Sequence, residues 1–351
     1  MGGIRAVTKK KKRTATRRRR RDSTVEEGTV EDGGPQTTVD EGEEDQKKED
    51  KEKDNKTSRK CRGSQPDDEK KEVMTAFIER LSQVGIAGLQ KEYAELKATK
   101  IPPPAGAITV FEANKPKNRY NDVLCFDKTR VVLRHNVPPD SAMQIGWWRW
   151  WQEKAGSIVM LCRVEEHGKP KCAQYWPLAE GETKQCGTLS VRNIKNDPKM
   201  DKAFDYTQLE VGDGKEASIL VNMFIWRDWP DKHVPAGGLG ILRMLRYSRH
   251  KKDSVCIVHC SAGIGRTGTV VGLEIAMSRL EAKQPVNIYE VVKELRTRRA
   301  QAVQTEVQYV FMHRVICEYL QAKGMSHPAI KKFNTERRRG VALITFDPCE
   351  E

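Results

Sequence analysis

No run of 18 apolar residues occurs in this 351-residue chain, and no C-x-x-C or histidine pair stands at zinc-ligand spacing. The first absence predicts no membrane-spanning helix, and the second predicts no structural zinc site. The nine cysteines are odd in number and scattered from Cys61 to Cys349, which argues against a disulfide framework and for free thiols in a reducing compartment. Met1, Gly2 and Gly3 lead into basic residues and not into an apolar stretch, so no secretory leader is expected. A soluble intracellular setting, cytoplasmic or nuclear, is the expectation.

Apolar side chains are also scarce in the first 72 positions, and that scarcity explains the charge. Lys plus Arg number 63 against 49 Asp plus Glu, a net of +14. The excess is uneven: residues 1–21 carry +11, residues 22–72 carry −8 and residues 73–351 carry +11. Residues 1–72 therefore read as a disordered tail, first basic and then mixed, unable to bury enough apolar area to offset ordering entropy. The basic run at 9–21 suits an anionic partner, whether a nuclear import receptor, a membrane surface or a nucleic acid. Gly2 is a poor myristoylation acceptor because position 6 is Ala6.

Helical periodicity begins at Val73 and passes through Phe77, Ile78, Leu81, Leu89, Tyr93 and Leu96, interrupted by Gly85 and Gly88. Two short helices or one broken helix fit it. Segments 157–164, 218–226 and 254–259 are short β-branched runs, read as buried strands. Stretches 267–283, 287–299 and 305–323 are helical in pattern. The fold class expected is α/β or α+β: a single domain over 73–325 with a twisted mixed sheet flanked by helices, followed by a basic, irregular tail at 326–351.

One segment carries chemistry. His259-Cys260-Ser261-Ala262-Gly263-Ile264-Gly265-Arg266-Thr267-Gly268 stands where a strand ends and a helix begins. Such a loop aims successive N–H groups and a helix N-terminus at one point, which suits phosphate. The glycines let the backbone close around a tetrahedral anion, and the planar fork of Arg266 grips two of its oxygens. Cys260, at the base, sits where donors and dipole favour the nucleophilic thiolate.

This Cys-x5-Arg loop resembles the signature of the protein tyrosine phosphatase family, of the phosphotyrosine-specific, non-receptor kind. Further segments match in family order. Lys117-Asn118-Arg119-Tyr120-Asn121-Asp122-Val123 resembles the substrate-recognition loop; the resemblance implies that Tyr120 stacks on the phenyl ring and Asp122 binds the substrate backbone. Glu166 and the run from Lys171 to Pro177 resemble the loop bracing the catalytic arginine. Trp229-Pro230-Asp231 resembles the mobile acid loop, and Gln304 with Gln308 the water-positioning loop.

The implied activity is hydrolysis of phosphotyrosine in proteins through a cysteinyl-phosphate, with no cofactor or metal. Catalysis would fall to Cys260, Arg266, Asp231, Gln304 and Thr267. Phosphate and substrate would be bound by Tyr120, Asp122, Ser261, Ala262, Gly263, Ile264, Gly265, Gln308 and Trp229, in a monomer. His259 would orient the loop.

Two departures stand out. About five residues, 142–146, occupy the place where the family has a few dozen, so part of the sheet would be missing near 141–147. Lost strands leave unpaired edges that cost several kcal/mol against a stability of about 5–15. The Trp-rich stretch at 147–151 reads as a packed core helix. His233 stands where the acid loop usually has glycine. The alternative is a catalytically impaired phosphotyrosine-binding module.

Overall fold

The computed structural model describes residues 68–99, 103, 105–134, 142–249 and 254–344. The basic run at 9–21 and most of the expected tail lie outside them. Helix α1 (Asp68–Ala98) starts five residues before the apolar periodicity does, with Asp68 and Glu69 in its first turn, where they complement the helix dipole. It breaks at Gly85, whose φ of 61° only glycine adopts readily.

Short helix α2 (Thr109–Ala113) precedes the recognition segment, and α3 (Ala142–Gln152) carries the tryptophans. The main sheet has six strands in the order β4-β5-β6-β7-β1-β8: β1 (Ser157–Met160), β4 (Thr183–Cys186), β5 (Leu189–Asp197), β6 (Phe204–Gly212), β7 (Ile219–Trp226) and β8 (Cys256–His259). β1 runs parallel to β7 and β8, and the other pairs are antiparallel. A small hairpin pairs β2 (Glu165–Glu166) with β3 (Lys169–Pro170). Helices α4 (Leu239–Ser248), α5 (Arg266–Glu281), α6 (Ile288–Arg298), α7 (Glu306–Ala322) and α8 (Pro328–Ile344) complete the element order.

All three expected strands and all three expected helices form, with bounds at most four residues from those expected; α5 begins one residue early, at Arg266, and the others are shorter than expected. β1 is fully buried along its four residues because it has a neighbour on each side. β8 is only half-buried, because it ends the sheet. Helix α5 buries residues on nearly all sides, among them Val270, Leu273, Ala276 and Leu280, which explains its lack of a polar face. Asn193, at the register shift between β5 and β6, is buried and donates to the Pro177 and Leu178 carbonyls.

Residues 328–344 correct the expectation of an irregular tail. They form α8, which packs on α1 and buries Ala329, Ile330 and Phe333. Basic residues between these positions hid a helical apolar stripe.

The tryptophans are core, as expected. Trp147 is fully buried and donates from Nε1 to the Tyr175 carbonyl at 2.7 Å. Its ring and that of Trp150 both meet Tyr175 edge-on, at 5.8 and 4.9 Å.

Candidate active site

Between the end of β8 and the first turn of α5, each carbonyl from Cys260 to Gly265 has a donor. Arg119 donates to the Ser261 carbonyl at 3.2 Å, and Arg299 donates to those of Ala262 (2.8 Å) and Gly263 (3.3 Å). The Val303 N–H donates to Ile264 at 2.9 Å, and Thr269 donates to Gly265 from both its N–H and its hydroxyl. His259 Nδ1 lies 3.4 Å from the Cys260 oxygen. Carbonyls tied outward leave the peptide N–H groups facing the hollow they enclose. Gly265 caps α5 without a side-chain hydrogen bond, so the first-turn N–H groups and the positive end of the helix dipole remain for an anion.

That hollow has a volume of about 230 Å³. Tyr120, Asp122, Asp231, Cys260, Ser261, Ala262, Gly265, Arg266, Gln304 and Gln308 line it, with Val123 and Lys232 besides. Of the other expected residues, Gly263 donates its N–H to Cys260 Sγ at 3.3 Å, and Thr267 donates its hydroxyl to the same sulfur at 3.1 Å. Ile264 is buried behind the loop. Trp229 does not line the pocket: it is buried against Trp226 and Phe311 and donates to the His233 carbonyl at 2.9 Å, so it anchors the acid loop. A larger cavity of about 560 Å³, lined by Met160, Trp176, Tyr206 and Ile225, holds none of the expected groups.

Arg266 is 3% exposed in its side chain and is gripped by both Glu166 oxygens at 2.5 and 2.6 Å. Burial lowers its basicity, but Glu166 and then Asp231 outweigh that and hold the guanidinium charged. Its Nε is buried with no partner, which is a donor left for a ligand. For Glu166, burial pushes the carboxyl up, but the hydrogen bonds from Arg266 and from the Arg163 N–H, together with the Arg266 charge, bring it below its ordinary value.

Asp231 Oδ2 pairs with Lys171 at 2.7 Å, and Oδ1 lies 3.2 Å from Arg266. Burial raises its affinity for a proton, but Lys171 and Arg266 prevail and keep it below the ordinary carboxylate range in the ligand-free site. Lys171 opens the run matched to the bracing loop, and its charge thus reaches across to the acid loop. His233 adds a tie of its own: its Nδ1 lies 2.8 Å from the Asp231 carbonyl oxygen.

His259 is pressed down to about 4 by burial, so the ring is neutral, and its Nε2 meets the Tyr175 hydroxyl at 2.6 Å. Gln308 completes a capping box with Thr305 at the start of α7: its Oε1 accepts from the Thr305 N–H at 3.3 Å. Its Nε2, buried and without a partner, points to Gly265, where an added Cβ would stand 3.1 Å away. A side chain at 265 would also press on Gln304 Oε1 at 2.9 Å, so glycine there keeps both carboxamides against the cradle. Arg296, Arg299 and Val303 lie outside the residues that the sequence singles out, because arginines at a helix end are spaced like solvated charge.

A family model described as Protein-tyrosine phosphatase matches residues 136–318. The tyrosine-protein phosphatase non-receptor type 9 of Rattus norvegicus is 30% identical over 284 residues, covering 68% of this chain and 47% of its own length. The receptor-type tyrosine-protein phosphatase eta of Gallus gallus is 29% identical, covering 72% of this chain and 20% of its own. The chain thus spans about half the length of the first relative and less of the second. A solved structure, described as the structural basis of the PTPN18 fingerprint on distinct HER2 tyrosine phosphorylation sites, aligns with a TM-score of 0.62 at 28% identity. It covers 70% of this chain and 99% of its own. The matched span takes in the cysteine loop, the arginine clamp and both flanking loops, and the chain belongs to the protein-tyrosine phosphatase family.

Proposed function

We propose that this protein hydrolyses phosphotyrosine in proteins, with Cys260 as nucleophile. The observation that carries the reading is the convergence on one hollow of Cys260, the Glu166-clamped Arg266, Asp231 and the Gln304–Gln308 pair. The phosphoryl dianion sits among the N–H groups of residues 261–266. It takes hydrogen bonds from Arg266 Nε and from the Nη2 edge that faces Asp231.

Cys260 Sγ attacks phosphorus, the S–P bond forms and the P–O bond to the phenol breaks. Asp231 gives its proton to the departing phenolate, a poor leaving group unless protonated. The dianion supports this role, because it shares the Arg266 charge that keeps Asp231 ionised in the empty site and adds negative charge beside it. In the second step Gln304 and Gln308 orient a water. The water attacks phosphorus while Asp231 takes its proton, and the S–P bond breaks. Thr267 stabilises the released thiolate through its bond to Sγ. Tyr120, whose hydroxyl lies 2.8 Å from Ser261 Oγ, walls the hollow and gives it the depth that suits an aryl phosphate.

The same reading takes phosphotyrosine proteins as partners, residues 9–21 as a contact for an anionic partner, and a monomer in the cytoplasm or nucleus as the working form. No arrangement among the described residues favours the binding-only alternative. The test is hydrolysis of an aryl phosphate by the wild type and by Cys260→Ser. Turnover by the wild type alone is expected, and equal rates sink the proposal.

A further inference from the structure

The residue before Gln304 is in an unusual state. Val303 is β-branched and fully buried, yet its φ is +60°, a left-handed conformation that such residues avoid. Conformations of this kind persist only where surrounding contacts over-determine them. Here they do. The Val303 N–H is spent on the Ile264 carbonyl of the phosphate cradle at 2.9 Å. Its carbonyl accepts from Arg296 Nη2 at 3.0 Å and from the Tyr93 hydroxyl at 3.3 Å. Arg296 Nε also holds the Ala302 carbonyl at 3.0 Å, and its guanidinium lies over the Tyr93 ring at 5.8 Å while donating to the Leu96 carbonyl.

The second half of α1 extends this grip along the segment. Gln90 donates to Glu306 at 2.7 Å, and Glu92 accepts from Tyr309 at 2.6 Å. Thus α1, a helix that contributes nothing to the lining of the pocket, holds the Val303 backbone before Gln304 and the side chains of Glu306 and Tyr309 after it.

We propose that Tyr93, acting with Arg296, is a positioning residue for the second chemical step: by holding the Val303 carbonyl it aims Gln304 at the water that attacks the cysteinyl-phosphate. The inference rests on the phosphatase reading above. It assigns a step. Formation of the cysteinyl-phosphate uses Cys260, Arg266 and Asp231, none of which bonds to Tyr93. Its hydrolysis uses Gln304. Freeing the Val303 carbonyl loosens the peptide that leads into Gln304 while the Val303 N–H keeps the Ile264 carbonyl of the cradle, so the loss falls on breakdown of the intermediate, and the ordinary signs of a weakened fold would not look like that.

The experiment is steady-state and stopped-flow hydrolysis of an aryl phosphate by the full chain carrying Tyr93→Phe, which removes one hydroxyl, with Arg296→Lys as a second variant and thermal melts of both. The expected result is a fall in kcat of about tenfold, given the steep dependence of rate on sub-ångström placement. KM falls in parallel, so kcat/KM stays within about twofold, because it reports only steps up to the first irreversible one. A burst approaching one phenol per enzyme precedes the slow phase. Parallel falls in kcat and kcat/KM without a burst, or no change in either variant, overturn the proposal while leaving the phosphatase reading intact. A wild type that releases no phenol overturns both. If Tyr93→Phe loses its cooperative melt, Arg296→Lys decides by the same criteria.

Discussion

Gly268 sits in the first turn of α5, where helix propensity alone would favour alanine by about 1 kcal/mol. The structure reverses that sign. A Cβ at 268 would stand 2.5 Å from the Val303 nitrogen and 3.2 and 3.3 Å from Ala302 C and Cα. These are backbone atoms, and they are tied to Ile264, Arg296 and Tyr93. Ordinary contact begins near 3.4 Å, so residues 302–303 must retreat by about 0.9 Å. Overpacking of this kind costs about 1–3 kcal/mol, and loss of the Val303–Ile264 hydrogen bond adds about 0.5–1.5. After the propensity gain, Gly268→Ala should be destabilised by about 1–3 kcal/mol, a drop of several degrees in Tm for a domain of this size. Gln304 moves with residue 303, so kcat should fall by roughly a hundredfold. Thermal denaturation and aryl phosphate hydrolysis measure the two effects. A Gly268→Ala protein that melts higher and turns over normally would refute the reasoning, since it would mean that the close approach constrains nothing.

Lys171→Met removes a charge that holds Asp231 low, so the aspartic acid stays protonated to higher pH. The basic limb of kcat/KM should shift upward, and a pH–rate profile with an unmoved limb contradicts that role. Glu166→Gln leaves the buried Arg266 without its carboxylate; a loss of about 3–5 kcal/mol is expected in denaturant unfolding, with weaker competitive inhibition by inorganic phosphate. At the sheet edge, the His259 carbonyl faces β1 by its bond from Leu161, and strand periodicity puts Ile257 on the same side. The amides of Cys256 and Val258 then face away from β1 and should exchange with deuterium faster than that of Ile257; equal protection would reveal a strand pairing there.

The signature loop was legible because chemistry fixes its residue types: a nucleophile, glycines and an arginine at set spacing have few other uses. Strands β1, β7 and β8 were legible as apolar runs, and α5 to α7 as helical stretches. β5 and β6 escaped notice because Lys195, Asp205 and Glu210 dilute their alternation, and polar outward residues in an antiparallel sheet resemble loop composition. The arginines that brace the cradle escaped for another reason. Arg119, Arg296 and Arg299 are spaced like solvated surface charge, and only the fold reveals that each points at a backbone carbonyl. Val303 carries no sequence signal at all, because its conformation is imposed by partners up to 210 residues away.

These braces bear on the shortened stretch before α3. An open flank at β8 would be expected to slacken the loop that follows it, since a strand with one neighbour has half the ladder of an interior strand. The cradle depends little on that flank. Its carbonyls are held by Arg119 from the recognition segment, by Arg299 from the end of α6, and by Val303 from the segment before α7. His259, the last residue of β8, is fixed through Tyr175, which Trp147 and Trp150 of α3 pack against. Two of these three braces, Arg119 and Arg299, are guanidinium groups, so the scaffold that shapes the cradle also surrounds it with positive charge. Order at the cradle is therefore supplied largely from segments other than the sheet, and an open edge two residues upstream of Cys260 is compatible with a preorganised anion site.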